Sequence, residues 1–415
     1  MGASSPRSSN IVLEHSASIA EARDPLASTL RMSEPSRGRI GILGHGIGAL
    51  ACAHYVARAG LRPVLLANGP LGAAIGRRFR ASGCDYDCFH VPLRASDTAL
   101  CGLLAELGLL HRVAWRSTGT GFYASDASGL LQSRRARVQW AFRAWIDRSQ
   151  RAEATSERFS AGHAVQLVRS PAHKHGYLQG GYRTLVHALE ASIEAHGGQI
   201  LEDLRLHSVD ADGRGGSVEW EGGSRHFDAL ISTLPISDLA KLSSGSVLGS
   251  LPFAQETTPS AEVSVALLNR RALALPYVTT PLQDVAGRLE IHHAAALVPE
   301  QERGALHPVY VTHRCESHGG TYQATDATLV ARALELLRQL EPGWSERDIG
   351  QAEVFRAPHV DLTLSREERE ISSGRRVGNT RLLLCAASRP YVRRASVDTS
   401  VMLARETVSQ LVRSS

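Results

Sequence analysis

The chain has 415 residues, of which 43% are hydrophobic and 21% are charged, and its net charge is +5. This is an ordinary globular composition, and the length suits about two or three domains. The mild positive charge comes without any zinc-finger, helix-turn-helix or aromatic RNA-binding signature, so nucleic acid is not an expected partner.

The first segment, residues 1–38, is rich in Ser, Ala, Pro and Arg and has no sustained hydrophobic periodicity. We expect a disordered leader, because such a segment can bury little apolar surface. It lacks the hydrophobic core of a signal peptide, and nowhere does an apolar run approach the roughly 18–20 residues of a membrane span. The six cysteines mostly lie in apolar stretches and predict reduced thiols in a cytoplasmic protein.

A glycine-rich turn follows the first apolar strand, which the pattern places at residues 39–43. The turn has the spacing Gly44-x-Gly46-x-x-Ala49, with a further glycine at Gly48. In a dinucleotide-binding unit, the first glycine allows the tight turn and the second lets the backbone approach a pyrophosphate. The small third residue lets helix and strand pack closely. A helix and a second apolar strand follow, so the order of elements predicts a Rossmann-like unit with phosphates at the helix N-terminus.

Later segments carry further motifs. Arg77 lies in the loop after the second strand, and Tyr86-Asp87 belongs to a short strand beyond it. Leu178-Gln-Gly-Gly-Tyr182 precedes a strongly periodic helix, and a later apolar run ends in Thr233-x-Pro235. With the glycine turn, these motifs resemble the superfamily of FAD-dependent amine oxidases, protoporphyrinogen oxidases, phytoene desaturases and UDP-galactopyranose mutases. The resemblance covers nearly all of residues 39–415.

The resemblance implies an α/β fold, in which a Rossmann-like FAD-binding domain of the glutathione-reductase type carries an inserted α+β substrate domain with a mixed sheet. It assigns residues 39–110, 162–240 and 375–415 to the discontinuous FAD-binding domain. Residues 111–161 and 241–374 then form the substrate domain.

The resemblance also implies which residues contact FAD. Arg77 matches the arginine of a loop that lies over the pyrophosphate and flavin, and Leu206 matches the residue whose backbone meets the adenine. The full set of implied cofactor-binding residues is Gly44, Gly46, Ile47, Gly48, Ala49, Asn68, Arg77, Leu206, Ala387, Ser388 and Ser400.

Several of these positions depart from the superfamily pattern. The acid that binds the adenosine ribose falls on Leu66 or Ala67, neither of which can accept a hydrogen bond from a hydroxyl, and Asn68 is next in line. The Gly-Gly of the pyrophosphate loop falls on Ala73-Ala74, where a methyl adds bulk. Each lost contact forfeits about 1–3 kcal/mol, so two could weaken FAD binding about 10²- to 10⁴-fold.

Two further departures lie in the glycine turn and at the last strand. His45 fills a turn position where superfamily members usually carry a small residue, and the last-strand Gly-Asp falls on Ala386-Ala387. The sequence therefore leaves open both a protein that binds FAD and one that has lost it.

No catalytic triad, metal motif or Walker sequence is visible, so a flavin would carry the chemistry. The candidates near its ring are His90, Tyr177, Arg393 and Arg394. His90 could act as acid or base because the unperturbed pKa of histidine is about 6.5. The two arginines could grip a carboxylate or a phosphate of the substrate.

Three hypotheses follow. The first is an FAD-dependent oxidoreductase that oxidises a small organic substrate by hydride transfer from a C–N or C–C bond. The second is a redox-neutral isomerase, mutase or cyclase, with flavin retained or lost. The third is a non-catalytic descendant that binds a ligand or a partner protein. The alanine replacements favour the second and third over what the fold alone suggests, and a homodimer is left open.

Overall fold

A parallel sheet of five strands forms from short apolar runs that are almost completely buried. Burial on both faces is expected of a parallel sheet covered by helices. The structure is a computed structural model, and it describes residues 38–123, 155–158, 166–243, 259–275, 277–281, 289–341, 343–362, 376–385 and 396–414. With strands numbered along the chain, the spatial order is β19 (Leu382–Leu384), β13 (Ala229–Ser232), β1 (Arg39–Leu43), β2 (Arg62–Leu66) and β9 (Gln199–Leu201).

Helix α1 (Ile47–Arg58) leaves the central strand β1 and is buried over nearly its whole length. It packs against β1 and β2 and against two amphipathic helices, α3 (Tyr182–Ala195) and α8 (Val397–Arg413). Because α1 is apolar on every side and rich in alanine, helices and sheet can approach it closely. The remaining helices of the described residues are α2 (Thr98–Glu106), α4 (Ile236–Leu242), α5 (Glu300–Arg303), α6 (Gly320–Gln323) and α7 (Asp326–Leu340).

Two small antiparallel sheets flank the parallel one. A hairpin of β3 (Arg78–Ala81) and β4 (Cys84–Asp87) follows a 3-10 helix at Ala73–Gly76. A three-stranded meander precedes β13, and its apolar side chains pack in one core with those of β1 and β13. Its strands are β10 (Leu206–Ala211), β11 (Gly216–Trp220) and β12 (Gly223–Phe227).

A large mixed sheet contains nine of the described strands. All its pairings are antiparallel except that of β6 with β15. In spatial order its strands are β18 (Ile349–Leu362), β14 (Pro259–Asn269), β17 (His307–Glu316), β16 (Leu289–His292), β15 (Val278–Pro281), β6 (Val113–Tyr123), β8 (Gln166–Leu178) and β5 (Leu93–Arg94), and β7 (Thr155–Arg158) pairs with β8.

The alternation of side chains gives this sheet two different faces. Val265, Ile291 and Val309 lie on one face and pack against Leu329 and Leu337 of α7. Since neighbouring residues of a strand point to opposite faces, the residues between them lie on the other face. That second face carries the polar and aromatic side chains described below.

The parallel sheet with its helices and the separate mixed sheet agree with the predicted α/β class. The predicted domain boundaries remain a prediction, and residues 1–37 of the expected leader lie outside the described part of the chain. Among the described helices, none combines the length and the apolar character that a bilayer crossing demands.

Candidate functional site

The glycine turn between β1 and α1 leaves open space at the helix N-terminus. Gly44 has a φ of +126°, and a Cβ there would collide with the Thr233 hydroxyl oxygen, so only glycine fits. Gly46 is the N-cap of α1, and a Cβ there would meet no atom closer than the Cβ of Ala73, at 4.0 Å. The first turn of α1, all of which is described, carries no acidic side chain. This helix end can therefore receive an anion on its N–H groups.

The loop after β2 folds back over this turn. The N–H of Gly72 donates to the carbonyl of His45 at 2.8 Å, and the 3-10 helix begins at Ala73. Ala73 has a φ of +51°, a left-handed conformation that costs a residue with a Cβ about 1–2 kcal/mol. The loop thus keeps a backbone suited to glycine although alanine occupies it. Its methyl faces Gly46, on the side where a pyrophosphate would lie.

At the end of β2, His45 and Asn68 bind each other. His45 Nδ1 lies 2.8 Å from Asn68 Oδ1. A Cβ added at Gly69 would lie 3.2 Å from the His45 ring, so the Gly69 backbone packs on the imidazole. Asn68 is exposed, and its amide N–H groups can still donate to a ligand.

These residues fit FAD at its pyrophosphate and differ from the usual arrangement at its ribose. The open Gly46 and the unobstructed end of α1 are what a pyrophosphate requires. A ribose at the end of β2 would meet the His45–Asn68 pair in place of a carboxylate.

The other predicted cofactor residues have more varied surroundings. Gly48 lies against α8, since a Cβ there would be 3.5 Å from the Cβ of Ser400. Ser400 Oγ donates to the carbonyl of Ser396, the N-cap of the same helix, at 3.2 Å, so the hydroxyl is already engaged within α8. Arg77 is exposed beyond the 3-10 helix, and Leu206 begins β10 against the meander core.

The structure thus brings Gly44, Gly46, Asn68 and the Ala73 loop together at the carboxyl ends of β1 and β2. Arg77 lies further along that loop. Ile47 and Ala49 are buried beneath the turn. Four further predicted residues lie outside the described part of the chain, namely Ala387, Ser388, Arg393 and Arg394.

A second set of residues lies on the polar face of the mixed sheet. We call it the His–Tyr cluster and define it as His90, His175, Tyr277, His292 and Tyr310, which are between 2% and 6% exposed. His90 Nε2 lies 2.8 Å from the Tyr277 hydroxyl, and the His90 ring stacks on Tyr310 with centroids 5.3 Å apart. The rings of His175 and His292 contact Tyr277 at centroid distances of 5.1 and 6.2 Å. Five residues from separate segments therefore form one buried polar group.

Packing connects this cluster to the loop over the glycine turn. Cys88 and Phe89, which immediately precede His90, pack against Ala74 and Ile75 of the 3-10 helix. The cluster therefore begins at the residue after Phe89, which contacts the 3-10 helix whose first residue, Ala73, faces Gly46.

Burial favours the neutral form of three of the five rings of the cluster. The pKa of His90 is well below its ordinary value because of burial first, and then because of the nearby His292 and His175. Burial also raises the pKa of Tyr277 and of Tyr310 well above the ordinary value. These three groups therefore stay uncharged and serve as hydrogen-bond donors and acceptors in a site closed to water.

Tyr177, a predicted candidate, lies next to the cluster with its hydroxyl already engaged. Its ring packs with Tyr277, and its hydroxyl donates to Glu302 Oε2 at 3.0 Å. Glu302 also accepts from the N–H of Gly180 at 2.9 Å and so ties α5 to the loop before α3. Burial raises the pKa of Tyr177, so this hydroxyl keeps its proton and holds two segments together.

Asp87 of the predicted Tyr86-Asp87 pair is buried at the N-terminus of α3. Arg78 Nε lies 3.4 Å from Asp87 Oδ1, and a side chain at Gly181, the N-cap of α3, would collide with that oxygen. Burial is the main cause that raises the pKa of Asp87 to about 6, and Arg78 opposes it. Asp87 therefore changes its charge not far below neutral pH.

Among the five residues of the His–Tyr cluster, only His90 was predicted from the sequence. One usable signal was present at Glu290-Ile-His292, where two polar residues alternate with an apolar one as on a strand with one buried face. Tyr277 carries no such signal, because its contact with His90 exists only in the folded chain.

Comparison with known proteins places these observations in a family context. The family model for flavin containing amine oxidoreductases matches residues 130–264. No curated protein matches the chain by sequence.

Several solved structures share the fold over almost the whole chain. A protein from Exiguobacterium sp. 255-15, provisionally described as a protoporphyrinogen oxidase, is 12% identical with a TM-score of 0.68, over 92% of this chain and 100% of its own. A mutant of putrescine oxidase, made in a redesign of its cofactor binding, is 12% identical with a TM-score of 0.64, over 91% and 99%. A CLA-producing fatty acid isomerase from P. acnes is 12% identical with a TM-score of 0.59, over 91% and 99%. These likenesses confirm the predicted fold class.

Proposed function

We propose that this chain, which belongs to the superfamily of FAD-dependent amine oxidases, is an FAD-dependent oxidoreductase that oxidises a small organic substrate by hydride transfer. The observation that carries the proposal is the open Gly46 at the N-terminus of α1, where a Cβ would find no atom within 4.0 Å except that of Ala73. The first turn of α1, every residue of which is described, carries no acidic side chain that would repel an anion there.

Particular residues would hold the cofactor. The backbone of Gly46 and Ile47 would receive the pyrophosphate, and the amide of Asn68 would donate to the ribose. FAD, when bound, supplies an acceptor for hydride. The flavin end would lie toward His90, because the loop over the glycine turn packs against the residues that precede His90.

The chain itself would supply orientation, exclusion of water and proton transfer. The cluster is nearly closed to solvent, and ring nitrogens of its histidines can accept a proton that a substrate loses on oxidation. The His90–Tyr277 hydrogen bond fixes both rings, so a substrate bound next to them would contact polar side chains whose orientation is already set.

A redox-neutral isomerase is the second candidate, and two observations favour it. His90 and Tyr277 offer an acceptor and a donor 2.8 Å apart, which is what moving a proton between two carbons requires. One structural neighbour is a fatty acid isomerase, so the fold accommodates such a reaction.

The visible absorbance spectrum of the purified protein, before and after excess FAD, tests the proposal. We expect a flavin spectrum that bleaches anaerobically when an oxidisable substrate is added, with putrescine, benzylamine and benzyl alcohol as first probes. A flavin spectrum with turnover that needs no electron acceptor would favour the isomerase. Failure to take up FAD would overturn the oxidoreductase and leave a flavin-free descendant that binds a ligand or a partner protein.

A matched pair of variants makes the cofactor site specific. Gly46→Ala adds one methyl where the pyrophosphate would lie, at a backbone conformation that alanine adopts easily. Gly102→Ala adds the same methyl on α2, where it also meets nothing within 4 Å. We expect Gly46→Ala to weaken FAD binding about tenfold or more and Gly102→Ala to leave it unchanged. Equal effects would contradict the proposed position of the pyrophosphate.

A further inference from the structure

Strand β16 presents Glu290 and His292 on the polar face of the mixed sheet. Ile291, between them, is buried on the opposite face in the core beneath α7. Across the sheet, His292 is the register partner of Tyr310 on one side and of Val278 on the other. The strand therefore holds the His292 ring in the His–Tyr cluster with little freedom to turn.

The two nitrogens of His292 have different surroundings. Nε2 lies 3.3 Å from Glu290 Oε2. Nδ1 is buried and has no hydrogen-bond partner among the described residues, while the residue is only 6% exposed. A buried polar atom without a partner is unfavourable, so this nitrogen can bind a group that the described residues do not supply.

The other histidines of the cluster are already occupied. His90 Nε2 faces the Tyr277 hydroxyl at 2.8 Å, and His175 Nδ1 faces Thr118 Oγ1 at 2.6 Å. The ring of His292 lies 6.0 Å from that of His90, centroid to centroid. A ligand that enters the cluster therefore finds an available ring nitrogen on His292.

We propose that His292, oriented by Glu290, is the proton acceptor of this site, and that the substrate bears an N–H or O–H group on the carbon to be oxidised. The carboxylate at Nε2 favours the tautomer with the proton on that nitrogen, which leaves the lone pair of Nδ1 directed at the substrate. Glu290 is thus a positioning residue that acts through His292.

This proton transfer accompanies an oxidation, and the oxidant is the one that the proposed function supplies. The N–H or O–H bond of the substrate breaks, and its proton passes to His292 Nδ1. The electron pair of that bond becomes the new C=N or C=O π bond, while the carbon loses its hydrogen with two electrons to the flavin as oxidant. The substrate is therefore an amine or an alcohol, because the proton that passes to His292 Nδ1 comes from nitrogen or oxygen.

Nitrogen NMR of protein labelled with ¹⁵N-histidine tests the assignment without any substrate. We expect the His292 ring, assigned by comparison with His292→Gln, to have its proton on Nε2 and a pyridine-type Nδ1. A proton on Nδ1 would overturn the proposal. Since the wild-type spectrum alone decides this point, a poorly folded variant would not prevent the test, and the ring contact of His292 with Tyr277 would then provide the assignment.

Two matched variants test the role of Glu290. Glu290→Gln removes the carboxylate, and Glu262→Gln removes another carboxylate from the same face of the same sheet, where the Glu262 and Glu290 side chains are 13% and 15% exposed. We expect Glu290→Gln to shift the His292 nitrogen signals toward a mixture of tautomers and Glu262→Gln to leave them unchanged. Unchanged signals in Glu290→Gln, or equal changes in both variants, would refute the orienting role.

The flavin spectrum separates this proposal from the proposed function. If the protein takes up no FAD but His292 has the expected tautomer, the oxidoreductase fails and the base remains assigned. If FAD binds and is reduced by an amine or alcohol probe but the tautomer is the opposite one, the oxidoreductase stands and the role of His292 fails.

Discussion

The hydroxyl of Tyr277 lies 2.8 Å from His90 Nε2, although the two residues are 187 positions apart in the chain. His90 follows the hairpin that extends from the loop over the glycine turn, and Tyr277 immediately precedes a strand of the mixed sheet. This hydrogen bond therefore joins the segment that follows the β3–β4 hairpin to the mixed sheet.

A double-mutant cycle on His90→Gln and Tyr277→Phe would measure that connection. Tyr277→Phe leaves a buried imidazole nitrogen without its partner, so we expect it to lower the free energy of unfolding by about 1–3 kcal/mol. The coupling energy from urea unfolding should be about 0.5–3 kcal/mol. The cycle with Tyr86→Phe, whose hydroxyl donates to the carbonyl of Arg303, should be additive with His90→Gln. Additivity in both cycles would contradict the hydrogen bond.

Ala73→Gly should raise the affinity for FAD. The change removes the methyl that faces Gly46 and relieves a left-handed alanine, and we expect affinity to rise up to about tenfold by flavin fluorescence titration. Ser82→Gly is the matched control, because Ser82 has a similar φ of +49° but lies at the tip of the β3–β4 hairpin. Tighter FAD binding by both variants would mean that backbone relief, not access for the pyrophosphate, is the cause.

Asn68→Asp should restore the usual acceptor for a ribose at the end of β2. A charged acceptor adds about 1.5–3 kcal/mol per hydrogen bond, although competition from His45 reduces this, so we expect about a tenfold gain in FAD affinity by the same titration. Asn379→Asp, an exposed change elsewhere, should have no effect. A lower affinity in Asn68→Asp would show that the ribose does not lie at this position.

Asp87 should make stability depend on pH between about 4 and 6. Its folded-state pKa of about 6 is above the ordinary value of 3.8, so between these values the folded protein binds more protons than the unfolded one. Stability therefore falls as pH rises through this window, by up to about 3 kcal/mol, and is not recovered above it.

Asp87→Asn should remove this dependence. Thermal unfolding from pH 4 to 8 should show a gain over the wild type that grows as pH rises, offset by the loss of contact with Arg78. Asp85→Asn, an exposed change on the same hairpin, should follow the wild-type curve. Parallel curves for Asp87→Asn and the wild type would mean that Asp87 has an ordinary pKa.

His292→Gln should slow the reduction of bound flavin about 10²- to 10⁴-fold with any amine or alcohol probe that reduces the wild-type protein. The flavin spectrum should stay the same, because His292 lies on the mixed sheet and not in the glycine turn. Stopped-flow absorbance under anaerobic conditions measures the rate. A rate within about threefold of the wild type would contradict a role for His292 as base.

The local sequence determined much of the parallel half of the fold. Strand β1, the turn at Gly44 and Gly46, and helix α1 depend on short-range physics, namely continuous apolar runs, backbone freedom at glycine and small residues for close packing. The same local logic identified the helix that begins at Tyr182 and the position of Asn68.

The tertiary structure decided the polar half of the site. His90 is 187 positions from Tyr277 along the chain and still further from His292, and only the folding of the chain brings the three rings into contact. Folding also pairs His45 with Asn68 at the carboxyl ends of β1 and β2, and this contact occupies part of the residue that is predicted to bind the ribose. Periodicity along a chain reports which face a residue occupies, whereas the identity of its neighbour depends on strand order, and no local pattern encodes that.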